Sequence, residues 1–132
     1  MESDATLTVD WAAAEPVYEQ VARQIRVRIA AGELAAGAAL PAVRTLASDL
    51  GVNLNTVARA YRLLEGQGFV AIRERAGTVV AAPAQAPDPT SLAPLWQELR
   101  EVLLRLRQAG VAREEISTMV ESVVAHAGDG KR

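Results

Sequence analysis

The sequence predicts a mainly α-helical protein with one small β-hairpin, built in two parts joined by a proline-rich stretch. Three observations carry this expectation. Apolar residues recur at helical spacing in five segments. A glycine-bounded stretch rich in β-branched residues interrupts them. Ala81 to Thr90 holds three prolines and almost no large apolar side chain. With 132 residues, half of them apolar, the chain suffices for one ordinary domain and an appendage, not for two full domains.

Between Pro16 and Gly32, the residues Tyr18, Val21, Ala22, Ile25 and Ile29 form a helical stripe. Pro16 suits the first turn of that helix and Gly32 its stop. Gly37 then marks a turn, and Pro41 opens a second helix that buries Val43, Leu46, Ala47 and Leu50 before Gly51 ends it. Asn53 can cap the third helix, in which Val57, Ala60, Tyr61 and Leu64 repeat the i, i+3, i+4, i+7 pattern up to Gly66 and Gly68. Phe69 to Arg73 and Thr78 to Ala81 read as two short strands around a charged turn. Three helices, a tight turn between the second and third, and a hairpin make up the order of a winged helix-turn-helix, over residues 7–81.

Residues 82–91 are expected to be an extended linker, reaching on the order of 3.1 Å per residue. Beyond it, residues 92–127 form two helices. Leu92, Leu95, Trp96, Leu99, Val102, Leu103 and Leu106 share one face of the first, which Gly110 stops. Ile116, Met119, Val120, Val123 and Val124 line one side of the second, Arg113 to about Ala127.

Composition excludes several function classes. No stretch approaches the roughly 18 apolar residues of a membrane span, and the acidic start lacks the pattern of a signal peptide, so the cytoplasm is the expected compartment and no membrane partner is expected. Cysteine is absent and His126 is the lone histidine. With no clustered carboxylates either, no catalytic residue, metal site or cofactor is expected. Gly32 and Gly37 lack the context of a phosphate loop and read as turn punctuation. His126, in an Ala-rich end without a partner, reads as a surface residue.

Charge is unevenly spread. The chain carries a formal -2, yet residues 16–80 hold eight arginines against five carboxylates, and the flanks are acidic. On a wheel of 100° per residue, Asn55, Arg59 and Arg62 lie almost opposite the buried face of the third helix. In a helix-turn-helix the N-terminal residues of that helix enter the major groove, where Asn can pair with adenine and Arg with guanine or phosphate. Its free first-turn amides also suit a phosphate. Arg44, Thr45 and Ser48 lie off the apolar stripe of the second helix, and Arg73 and Arg75 flank the hairpin turn. Each has a plainer alternative: Asn53 as a helix cap alone, Arg59 and Arg62 as solvated side chains, and Arg62 as a partner of Glu65. Taken together on the basic segment, they favour double-stranded DNA.

The segments PVYEQVARQIRVRIAAGEL, LPAVRTLASDLGVNLNTVARAYRLLEGQGFV and AGTVV resemble the DNA-binding domain of the GntR family of bacterial transcription regulators. The resemblance spans residues 7–81 without a gap. It implies that Arg44, Asn53, Asn55, Thr56 and the wing turn near Arg75 to Gly77 hold DNA. Arg75 stands where the family often has a wing glycine, and Leu54 where it often has proline. The short second part is similar to the YtrA subfamily, whose C-terminal helices serve dimerisation.

Two helices with broad apolar faces cannot bury them within about 50 residues, so a homodimer is expected to do so. Those helices are also too little to enclose a metabolite pocket of some hundreds of cubic ångströms. Any effector is unknown; the apolar surface near Trp96 and the linker are the places open to one. The expected function is a homodimeric, sequence-specific DNA-binding regulator, a repressor acting by operator occupancy. The competing function is a winged helix that docks a protein partner without binding DNA. Salt-dependent DNA affinity separates the two.

Overall fold

The computed structural model describes residues 7–75, 77–83, 86 and 88–126. They fall into two compact units, one running to Ala82 and the other spanning Pro83–His126. Ala76 of the wing turn, Ala84, Gln85 and Pro87 of the linker, Ala127 and the side chain of His126 lie outside the described residues.

The first unit contains α1 (Val17–Ala30), α2 (Val43–Leu50), α3 (Leu54–Gly66), β1 (Val70–Arg73) and β2 (Gly77–Val80). Its core joins the faces that the apolar spacing marks. Val21, Ala22 and Ile25 of α1 pack with Leu46 and Ala47 of α2 and with Val57, Ala60, Tyr61 and Leu64 of α3; Leu40, Val70 and Val80 complete the cluster. Burying an aliphatic or aromatic side chain of this size contributes about 1.5–3 kcal/mol, so the α3 stripe holds the helix onto the other elements.

Gly51 makes the helix-turn-helix corner. It caps α2 in the left-handed region (φ 70°, ψ 33°), which lets the Val52 amide bond back to the Ala47 carbonyl at 3.0 Å. No atom lies within 4 Å of where an added Cβ would sit, so Gly51→Ala meets a backbone cost alone. We expect a loss of roughly 1–2 kcal/mol in urea unfolding, with the same m-value as the wild type.

The second helix starts later than its proline suggests. α2 begins at Val43 with Ala42 as N-cap, and Pro41 lies outside it. The chain is still paired in a sheet just before: Ala39 bridges Val79, and the Leu40 amide bonds the Thr78 carbonyl at 2.8 Å. This isolated bridge beside the two-stranded hairpin escapes the sequence, because alanines carry no strand pattern. The β1–β2 hairpin pairs Val70 with Val80 and Arg73 with Gly77.

A second feature hidden from periodicity lies before α1. Gln20 is 3% exposed, a polar residue in the core layer. Its amide accepts from the Asp10 N–H at 2.8 Å and donates to the Asp10 and Glu15 carbonyls. Gln24 grips Thr8 in the same two-way fashion, at 3.0 and 2.8 Å. The two glutamines tie the preceding segment to α1 as an adjoining strand would, leaving the buried amide of Gln20 satisfied.

In the second unit, α4 (Pro89–Gln108) begins inside the stretch 82–91 expected to be linker. Asp88 caps it by accepting from the Thr90 amide at 3.2 Å, and Pro89 fits the first turn, where its missing N–H costs nothing. The proline read as a linker residue is therefore a helix start. Gly110 (φ 96°) ends the turn that follows, and α5 runs Arg113–His126.

Candidate nucleic-acid interface

The polar face of α3 is set by its own buried side. Because Val57, Ala60, Tyr61 and Leu64 are at most 1% exposed, the rotation of the helix is fixed, and Asn55, Arg59 and Arg62 must face out. Burial raises the Tyr61 phenol above its ordinary pKa, so it stays protonated and donates to the Pro41 carbonyl at 2.7 Å. That bond pins the chain just before α2, the helix whose first turn carries Arg44.

Asn53 does cap α3: its Oδ1 accepts from the Asn55 amide at 2.7 Å. The Asn53 carbonyl accepts from the Thr56 amide at 3.0 Å. The expectation of free amides at this helix end is thereby narrowed to the Leu54 amide, the one first-turn amide of α3 without a partner among the described residues. The open helix end belongs to α2. Ala42 offers no side-chain cap, and the N–H groups of Val43, Arg44 and Thr45 have no partner among the described residues. Such a terminus, with Arg44 in its first turn, provides both oriented donors and charge for an anion.

The arginines separate into two groups. Arg23 pairs with Glu15 at 2.8 Å, Arg28 with Glu33 at 3.4 Å, and Arg26 donates to the Gln67 amide oxygen at 2.8 Å. Arg44, Arg62, Arg73 and Arg75 are exposed and form no ion pair among the described residues, so the Arg62–Glu65 pair open to the sequence is not made. Arg59 behaves differently from its neighbours. Its guanidinium lies 3.9 Å from the centre of the Tyr18 ring on α1, a cation–π contact worth about 0.5–1 kcal/mol at an exposed site. Thr45, Ser48, Asn55 and Gly77 are exposed and Thr56 is half-buried. Gly77 takes a positive φ of 77° beside the wing turn.

Residues 17–80 match the family of bacterial regulatory proteins, gntR family. The chain is 44% identical over 93 residues to the HTH-type transcriptional regulator Rv1152 of Mycobacterium tuberculosis, covering 70% of this chain and 74% of that protein. The chain belongs to the GntR family. It is a short, YtrA-like member. It is 27% identical to the HTH-type transcriptional repressor YtrA of Bacillus subtilis, over 96% of this chain and 98% of that one. The solved structure of YtrA from Sulfolobus acidocaldarius, a GntR-family transcription factor, superposes with TM-score 0.62 at 34% identity, covering 79% of this chain and 98% of that one. The DNA-binding domain of AraR in complex with operator ORX1 matches 57% of this chain and 96% of that domain, with TM-score 0.52 at 28% identity.

The winged helix is thus the DNA-binding domain of a GntR-family transcription regulator. Among the described residues there is no metal-binding cluster, and no helix is long and apolar enough to cross a membrane.

The second unit of this GntR protein presents a different chemistry. No residue of α4 is buried. Leu95, Trp96, Leu99, Val102 and Leu106 remain exposed, as do Met119, Val120, Val123 and Val124 of α5; Leu92, Leu103 and Ile116 are half-buried. Leu104, outside the expected stripe, is 67% exposed. A groove of about 610 Å³ is lined by Leu103 on α4 and by Ile116, Val120 and Val124, with Ser117, Glu121 and Ala125, on α5; Trp96 is not part of it.

Proposed function

We propose that the chain is a homodimeric repressor that occupies a specific operator, with α3 reading bases and the open N-terminus of α2 holding a phosphate. The observation that supports this best is the contrast between the arginines. Those on α1 are neutralised or bonded within the fold, whereas Arg44, Arg62, Arg73 and Arg75 keep their charge for a partner. The likeness to an operator-bound domain supports DNA as that partner, and the Bacillus subtilis relative, named a repressor, supports the sign of regulation.

Asn55 and Thr56 read base edges from the first turn of α3, with Arg62 further along the same face. Asn53 holds the helix end in shape, and its exposed side chain adds a polar contact. Thr45 and Ser48 face the backbone beside Arg44, while Arg73, Arg75 and Gly77 follow the neighbouring groove. Arg59 has a divided role, because leaving the Tyr18 ring offsets what a phosphate contact would contribute. The exposed apolar faces of α4 and α5 bury against a second copy, which fills the groove around Leu103 and Ile116 and sets two recognition helices about one helical turn, roughly 34 Å, apart.

Selection from a random DNA library with the full chain, followed by anisotropy titrations at several salt concentrations, tests this. The expected product is a two-half-site sequence whose affinity falls steeply as salt rises. Enrichment of no DNA would overturn the proposal in favour of a protein-docking winged helix. Arg44→Ala is expected to weaken operator binding by roughly 1–3 kcal/mol at fixed salt. An unchanged dissociation constant would remove Arg44 from the interface.

A further inference from the structure

Leu54 opens α3 as its first helical residue, between the capping Asn53 and Asn55. It is 41% exposed and does not join the core cluster or the half-buried side chains packed on it, unlike Leu50, Val52 and Leu63 nearby. Isolated exposed leucines need no explanation in general. This one sits at the end of the helix proposed to enter the groove, where Asn53, Asn55 and Thr56 beside it in the sequence carry short polar side chains.

The geometry of α3 gives that side chain a specific outlook. At 100° per residue Leu54 lies roughly 70° from the centre of the buried face, at the border between that face and the outward surface. Ala58 and Arg62 follow it at four-residue steps, so the three form one ridge. Next to Leu54 along that ridge is only the methyl of Ala58, which leaves a shallow apolar step beside the amide of Asn55. In the major groove, the one apolar group that a base edge presents is the 5-methyl of thymine. Asn55 recognises by hydrogen bonds, and the flank beside it offers no donor or acceptor.

We infer that Leu54, with Ala58, is a specificity-determining residue that seats the 5-methyl group of one thymine in each operator half-site. The inference rests on the operator-binding role proposed above. It assigns to the departure from the usual proline a positive function: a flexible apolar side chain reaches a methyl that proline, held against its own backbone, does not. Withdrawing both apolar groups from water supplies the discrimination, and cytosine, which lacks the methyl, is disfavoured at that position.

The test replaces each thymine of the selected operator, one position at a time and symmetrically in both half-sites, by deoxyuridine. This removes the methyl and leaves base pairing intact. Anisotropy titrations at fixed salt then use the full-length wild type and Leu54→Ala. For the wild type, one position is expected to lose about fourfold in affinity per half-site, the worth of one buried methyl-sized group. For Leu54→Ala the thymine and uracil operators are expected to bind equally at that position. The wild-type arm needs no variant, and matching thermal midpoints show that Leu54→Ala is folded. Enrichment of an operator with no uracil-sensitive position overturns this inference and leaves the operator role standing. So does a uracil sensitivity that persists unchanged in Leu54→Ala. Failure to enrich any DNA overturns both.

Discussion

Leu99→Glu combined with Leu103→Glu is expected to yield a monomer by light scattering at micromolar concentration, where the proposed function requires the wild type to be a dimer. Leu99 is 42% exposed and Leu103 lines the groove between α4 and α5, so neither substitution disturbs a closed core. In the proposed dimer, however, it places four carboxylates in an apolar contact, and burying an ionised carboxylate without a partner is prohibitive. The consequence for DNA is larger than any one contact. A dimer binds its second half-site at the high effective concentration created by the first, and losing that linkage lowers affinity by roughly 10²–10⁴. Binding to a single isolated half-site should be unchanged, which separates loss of assembly from damage to the winged helix. A variant that remains dimeric refutes the assignment of this face.

Leu64→Ala is expected to cost the most stability in the first unit. Leu64 is fully buried in the core cluster formed by all three helices and the hairpin. Replacing such a leucine removes its transfer free energy and leaves a cavity, together about 2–5 kcal/mol. At about 3 kcal/mol the thermal midpoint of a domain of this size falls by roughly 12–24 °C. Leu63→Ala, one position earlier and only half-buried, should cost distinctly less in the same calorimetric comparison. Equal effects would mean that the rotation of α3, and with it the outward direction of Asn55 and Arg62, is misassigned.

The elements that the sequence announces most clearly are those with a strong periodic face. Val57, Ala60, Tyr61 and Leu64 define α3 and its rotation without any tertiary information, and Gly51 and Gly110 mark helix ends where the sequence places them. Where reading was incomplete, the cause is local ambiguity. Pro41 reads as a helix starter and Pro89 as a linker residue, yet Pro41 follows an isolated β-bridge outside α2 and Pro89 opens α4, because Leu40 bonds to the hairpin and Asp88 is free to cap. The Ala39–Val79 bridge has no apolar alternation to betray it. Gln20 shows no apolar signature, although its burial organises the segment before α1.

The candidate interface divides in the same way. Its residue types and outward direction follow from composition and spacing alone: a basic segment, an Asn-rich helix start and an arginine in the first turn of the preceding helix. The family membership also follows from these motifs. What only the tertiary structure decided is which groups are already engaged. The Asn53 cap engages the Asn55 amide of α3, the uncapped Ala42 leaves the first amides of α2 open, and Tyr18 draws in Arg59, while Arg44 and Arg62 have no ion pair among the described residues. Periodicity along a chain determines which face of a helix turns inward, since burial depends on apolar area. Pairing of a donor or a charge depends on a partner from a distant part of the chain arriving within about 3–4 Å, and only folding settles that.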